Sequence, residues 1–180
     1  MNDAPHAAET EDRLRLDRQI CFPLYAATNL IQRLYRPLLS PLGLTYSQYL
    51  VLLVLWERGH ATVGELRECL HLDAGTITPL LKRMERDGLV TRSRDRQDER
   101  RVIVALTPSA AALHEEARQI PDGMAARIGV DDAQGAELHD LTTSLVARLQ
   151  TALGQRSDGQ VIAQRSARRE KINPTRRGIS

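Results

Sequence analysis

A chain of 180 residues with 42% hydrophobic but only 3% aromatic content has room for one domain with a core of Leu, Val, Ile and Ala, or a small domain with helical arms. Its two cysteines, Cys21 and Cys69, are too few for a disulfide framework and lack metal-ligand spacing, so no metal or other cofactor is expected. The net charge of +2 hides an asymmetry, because residues 154–180 hold seven basic and two acidic side chains, which leaves the rest of the chain at −3.

No apolar run approaches the roughly 18 residues of a membrane span, and the opening MNDAPHAAETEDRLRLDRQ lacks a signal-peptide core. A cytoplasmic protein without a membrane partner is expected. Residues 1–15 read as a flexible N-terminus and 16–153 as the folded domain. The tail, 154–180, mixes Gly, Ser, Pro and Arg without an amphipathic period and reads as disordered. It is either a solvated terminus or an arm that touches phosphates without regard to sequence.

Cys21 lies in LDRQICFPLYAA, two residues before Pro23, and a proline here suits the first turn of a helix. The free N–H groups and macrodipole of that turn favour thiolate over thiol, which makes Cys21 a candidate reactive cysteine. From Leu24 to Leu39 a helical stripe runs through Leu24, Ala27, Ile31, Leu34 and Leu38, with Pro37 and the SPLG segment ending it. A second helix, Ser47 to Arg58, is apolar on nearly all sides and belongs in a core; Gly59 stops it.

Thr62 with Glu65 forms a capping box that starts a short helix through Cys69, which reads as core-facing. Asp73 is the next N-cap and Gly88 the C-terminal cap, giving two helices with a tight turn, a helix-turn-helix candidate. In the second helix Ile77, Leu80, Leu81 and Met84 face inward, leaving Thr76, Pro79, Lys82, Arg83 and Arg86 on a polar, basic outer face suited to a major groove. Pro79 removes one hydrogen bond, so Thr78 is an alternative cap of a shorter helix. Extended sequence follows: VTRSR, the turn DRQDER and RVIVALT predict a β-hairpin, with seven charged residues in the eight positions Arg94 to Arg101. A helix from Thr107-Pro108 toward Arg118 and another from Asp132 to Leu153 complete the chain.

The order of these elements, with LTYSQYLVLLVL, LDAGTITPLLKRMERDGLV and RSRDRQDERRVIVALT, resembles the multiple-antibiotic-resistance regulator (MarR) family over roughly residues 15 to 152. Cys21 in LDRQICFPLY, Tyr35 in RLYRPLL and Tyr46 in LTYSQY resemble its organic-hydroperoxide-sensing branch, OhrR. The resemblance implies a mainly α fold with a small β-hairpin wing, a winged helix-turn-helix in a helical homodimer. It also implies that Cys21 is the peroxide sensor and that Tyr35 and Tyr46 hydrogen-bond to it. On one helix Tyr35 stands about 21 Å from Cys21, so the two can meet only across antiparallel helices of two subunits. Tyr25, one turn from Cys21, and Phe22 are expected to line the pocket and favour organic over hydrogen peroxide. No resolving cysteine occurs in QIPDGMAARIGV, so the chain resembles the one-cysteine type, whose sulfenate reacts with a small cellular thiol.

The implied activity is operator binding by the reduced dimer to double-stranded DNA with inverted-repeat half-sites. Helix 73–87 would enter the major groove through Thr76, Thr78, Pro79, Lys82, Arg83 and Arg86. The hairpin, with Arg94, Arg96 and Arg100, would follow the backbone and place Arg96 or Arg100 in the minor groove. Alternatives are a family regulator answering a non-covalent aromatic or anionic ligand, a thiol peroxidase, and a DNA-coating protein with no operator preference. Against the peroxidase stand the absence of a thioredoxin-like βαβ pattern, of CxxC and of a recycling cysteine.

Overall fold

The computed structural model describes residues 13–154, so the readings made for 1–12 and for the tail beyond 154 fall outside the described residues. After a 3₁₀ turn at Leu16–Arg18 comes α1, Cys21–Leu39. Pro23 sits in its first turn, as anticipated. The helix ends at Leu39, where the SPLG segment was expected to stop it; Pro37 lies inside its last turn, Leu39 is buried in the core, and a second 3₁₀ turn, Ser40–Leu42, makes the corner. Ile31, Leu34 and Leu38 of the expected stripe are half-buried, whereas Leu24 and Ala27 are exposed.

Helix α2, Tyr46–Arg58, starts one residue before the expected Ser47, because Thr45 and Gln48 form a reciprocal capping box. It is the core helix, burying Tyr49, Val51, Leu52, Val54 and Leu55, and it ends at Gly59, whose φ of 78° few other residues tolerate. Then come β1 (His60–Thr62), α3 (Val63–Cys69) and α4 (Ala74–Arg86). The hairpin is β2 (Val90–Arg94) and β3 (Val102–Leu106). The sheet is larger than the expected hairpin: β1 adds antiparallel to β3, His60 opposite Ala105, giving the order β1-β3-β2. It pins the entry to the helix-turn-helix onto the wing.

Helices α5 (Pro108–Ala117) and α6 (Ile120–Ile128) follow, the latter not anticipated as a separate element. Gly123 lets α6 approach α1 closely, since a Cβ there would lie 3.3 Å from Leu38. One compact unit runs to Ile128 and a second begins at Gly129. The second contains α7, Asp132–Ala152, capped by an Asp131–Gln134 box that matches the predicted start. Among the described residues no single helix is long and apolar enough to cross a membrane. α1 and α2 reach that apolarity only together, bent by 69°, and α2 is the core helix.

Candidate DNA interface and thiol site

α4 starts where Asp73 predicts. Its carboxylate accepts from the Thr76 N–H at 2.7 Å and the Thr76 hydroxyl at 3.0 Å, which holds the carboxyl below its ordinary range. Thr78 is therefore an internal residue, and Pro79 is accommodated within the helix rather than at its start. The far end closes in a Schellman motif: the N–H of Leu89 donates to Met84 O at 2.9 Å and that of Gly88 to Glu85 O at 3.1 Å. Thr107 donates its hydroxyl to Gly88 O at 2.7 Å, tying this corner to the end of β3. Ile77, Leu80, Leu81 and Met84 are buried, while Thr76, Thr78, Pro79, Lys82, Arg83 and Arg86 are all exposed. The division of faces read from the sequence holds at every one of these positions.

Short turns organise the wing tip. Asp95 accepts from the Gln97 N–H at 2.9 Å, Asp98 accepts from the Arg100 N–H at 3.1 Å, and the Asp95 N–H donates to Arg101 O at 2.9 Å. Arg94, Arg96 and Arg100 project from this frame into solvent. Two ion pairs that sequence reasoning missed join the wing stem to the helices: Arg92 to Glu85 of α4 at 3.5 Å, and Arg101 to Glu65 of α3 at 3.8 Å. Between stem and helices lies a cavity of about 480 Å³, whose lining includes Thr78, Leu81, Arg92 and Arg101. A basic helix face beside a basic hairpin defines a winged helix-turn-helix DNA-binding protein.

Cys21 is exposed at the first residue of α1, with Phe22 and Tyr25 beside it, the tyrosine 69% exposed. Tyr35 and Tyr46 meet, their ring centroids 4.7 Å apart. The stack continues through Tyr49 at 5.8 Å from Tyr35, then Trp56 and His114. Sequence reasoning missed these last three, although Tyr46, Tyr49 and Trp56 recur at i, i+3 and i+10 along one face of α2. Burial pushes the hydroxyls of Tyr35, Tyr46 and Tyr49 up, so all three stay protonated donors well above neutral pH. Cys69 is half-buried against the core, with Arg58 Nη2 donating to its Sγ at 3.8 Å. Among the described residues no cluster of His, Cys, Asp or Glu is arranged to hold a metal ion.

Known proteins agree with this architecture. The profile of the family described as "Transcriptional regulator SarA/Rot" matches residues 33–117. The organic hydroperoxide resistance transcriptional regulator of Bacillus subtilis is 44% identical over 140 residues, 78% of this chain and 93% of that protein. Structures of AbfR, a Staphylococcus epidermidis protein, bound to DNA in reduced and in overoxidized form are each 33% identical. The reduced form aligns with TM-score 0.61 over 77% of this chain and 96% of that one, the overoxidized form with 0.60 over 76% and 96%. The chain belongs to the MarR family of DNA-binding transcriptional regulators, on its organic-hydroperoxide-regulator branch. These relatives are regulators of transcription, not enzymes.

Proposed function

We propose that the chain is a homodimeric repressor that senses organic hydroperoxides through Cys21 and then releases its operator. The observation that carries this reading is the pairing of two protonated tyrosines, Tyr35 and Tyr46, at the far end of the helix that Cys21 begins. Fourteen residues of α1 keep Cys21 and Tyr35 of one chain about 21 Å apart. Two chains with crossed α1 helices bring the thiol of one to the tyrosine pair of the other.

In the reduced dimer the tyrosine hydroxyls donate to the Cys21 thiolate. α4 of each subunit enters a major groove through Thr76, Thr78, Pro79, Lys82, Arg83 and Arg86. The wings follow the backbone with Arg94, Arg96 and Arg100, so inverted half-sites mirror the two-fold axis. The thiolate attacks one oxygen of the hydroperoxide, the O–O bond breaks, and the alkoxide leaves as the alcohol after taking a proton, leaving a sulfenate. A small cellular thiol then condenses with the protonated sulfenate, releasing water and forming a mixed disulfide. The bulk of that adduct at the subunit seam alters the spacing of the two α4 helices. Phe22 and Tyr25 supply the apolar wall that favours an organic peroxide.

The test is DNA binding by reduced protein, repeated after an organic hydroperoxide, in wild type and Cys21→Ser. Wild type is expected to lose binding and Cys21→Ser to keep it. A Cys21→Ser protein that still releases DNA on adding hydroperoxide refutes the sensor. Release of the same variant by an aromatic acid instead identifies a non-covalent ligand as the signal.

A further inference from the structure

Arg92 is the arginine of the wing that does not face solvent. It sits at the middle of β2, opposite Val104, with its side chain only 22% exposed and its Nε buried without a hydrogen-bond partner. A guanidinium held this way is costly unless a counter-charge answers it, and the net stability such a pair adds is small. The counter-charge is Glu85 on α4, 3.5 Å away. Beside this contact a cleft of about 480 Å³ lies between the wing stem and α3 and α4, with Arg101 on its lining paired to Glu65 at 3.8 Å, so charged pairs as well as packing hold the stem on that side.

We propose that Glu85 is a positioning residue for DNA recognition: by holding Arg92 it sets the angle between the recognition helix and the wing, and with it the preference for one sequence over others. Glu85 shares α4 with Lys82, Arg83 and Arg86, the cations of the exposed face. As a mere surface charge it repels the phosphates of any duplex equally. As a positioning residue it favours one duplex and disfavours the rest. The two roles therefore predict opposite results for the same substitution on the favoured duplex.

The experiment uses reduced full-length protein. One probe is a duplex enriched from a random pool by the wild type, and the other a scrambled duplex of the same length and composition, both read by fluorescence anisotropy at one salt concentration. Glu85→Gln is expected to bind the scrambled duplex more tightly. It should bind the enriched one less tightly, lowering the ratio of affinities about fivefold, which corresponds to about 1 kcal/mol. The exchanged pair, Glu85→Arg with Arg92→Glu, is expected to restore the ratio. Equal tightening on both duplexes, with an unchanged ratio, overturns the proposal, and so does an exchanged pair no better than Glu85→Gln. If circular dichroism shows Glu85→Gln to be unfolded, Arg92→Gln, which removes the same pair from the other side, is expected to lower the ratio, and an unchanged ratio overturns the proposal. A pool from which nothing is enriched refutes sequence-specific binding itself and takes the proposal with it.

Discussion

Tyr35 and Tyr46 touch each other across the α1–α2 contact, so each ring has a packing role separate from its hydroxyl. Tyr35→Phe and Tyr46→Phe are therefore expected to fold and bind DNA normally, yet to release it more slowly on exposure to an organic hydroperoxide. Under the proposed sensing mechanism each variant lacks one hydrogen bond to Cys21, about 1 kcal/mol; equal release rates in wild type and both variants refute the pairing. Glu65 offers a pH test. The Thr62 N–H, donating at 2.7 Å, is the main reason its carboxyl lies below the usual range. Partial burial opposes that shift, while the Thr62 hydroxyl, Arg101 and Arg58 add to it. The capping contribution is thus complete above the unfolded carboxyl value of about 4.3 and is lost as pH falls through the lower native value. The melting temperature of wild type is expected to drop more steeply on acidification below about pH 5 than that of Glu65→Gln, whose amide oxygen still accepts. This box was legible because Thr and Glu at i and i+3 are both needed and both short-range. The Arg92–Glu85 pair was not, because nothing in VTRSR says which of its arginines turns inward.

At the scale of elements, α4 shows how far local signals reach. Asp73, the inward quartet and Gly88 each sit where the spacing placed them. Pro79 left two starts open, since a missing N–H is compatible with either. The Asp73 cap settles it, bonding Thr76 before the proline is reached. Strand β1 was illegible: His60–Thr62 has three residues and no alternation, and only β3, some forty positions later, makes it a strand. The end of α1 at Leu39 was legible from the SPLG segment, although Pro37 lies within the helix and does not stop it. Gly88, at φ 71° in the Schellman motif, has open space where a Cβ would go. Gly88→Ala therefore isolates backbone strain and is expected to lower stability by about 1–2 kcal/mol in urea unfolding. A loss near zero means the corner can rearrange.

Over the whole molecule, apolar surface is left uncovered in each compact unit taken separately. Phe22, Leu24, Tyr25 and Leu30 are exposed on α1, as are Leu138, Leu141 and Leu149 on α7. In the proposed homodimer each of these faces, taken by itself, is a candidate for association. Sedimentation is expected to give twice the chain mass, and Leu141→Glu to give the single-chain mass together with weakened DNA binding. A Leu141→Glu protein that stays dimeric removes α7 from the interface. Trp56 is the sole tryptophan of the chain, and it lies where α2 meets α5: its indole donates to Ala110 O at 3.0 Å and meets the His114 ring edge-on. With one indole and four tyrosines, fluorescence excited beyond the tyrosine band has a single origin, and that origin shares a stack with Tyr35 and Tyr46. Red-edge excitation therefore makes the protein its own optical probe, able to time in stopped flow whether a disturbance at the proposed sensor reaches this joint before the DNA dissociates, with no dye attached.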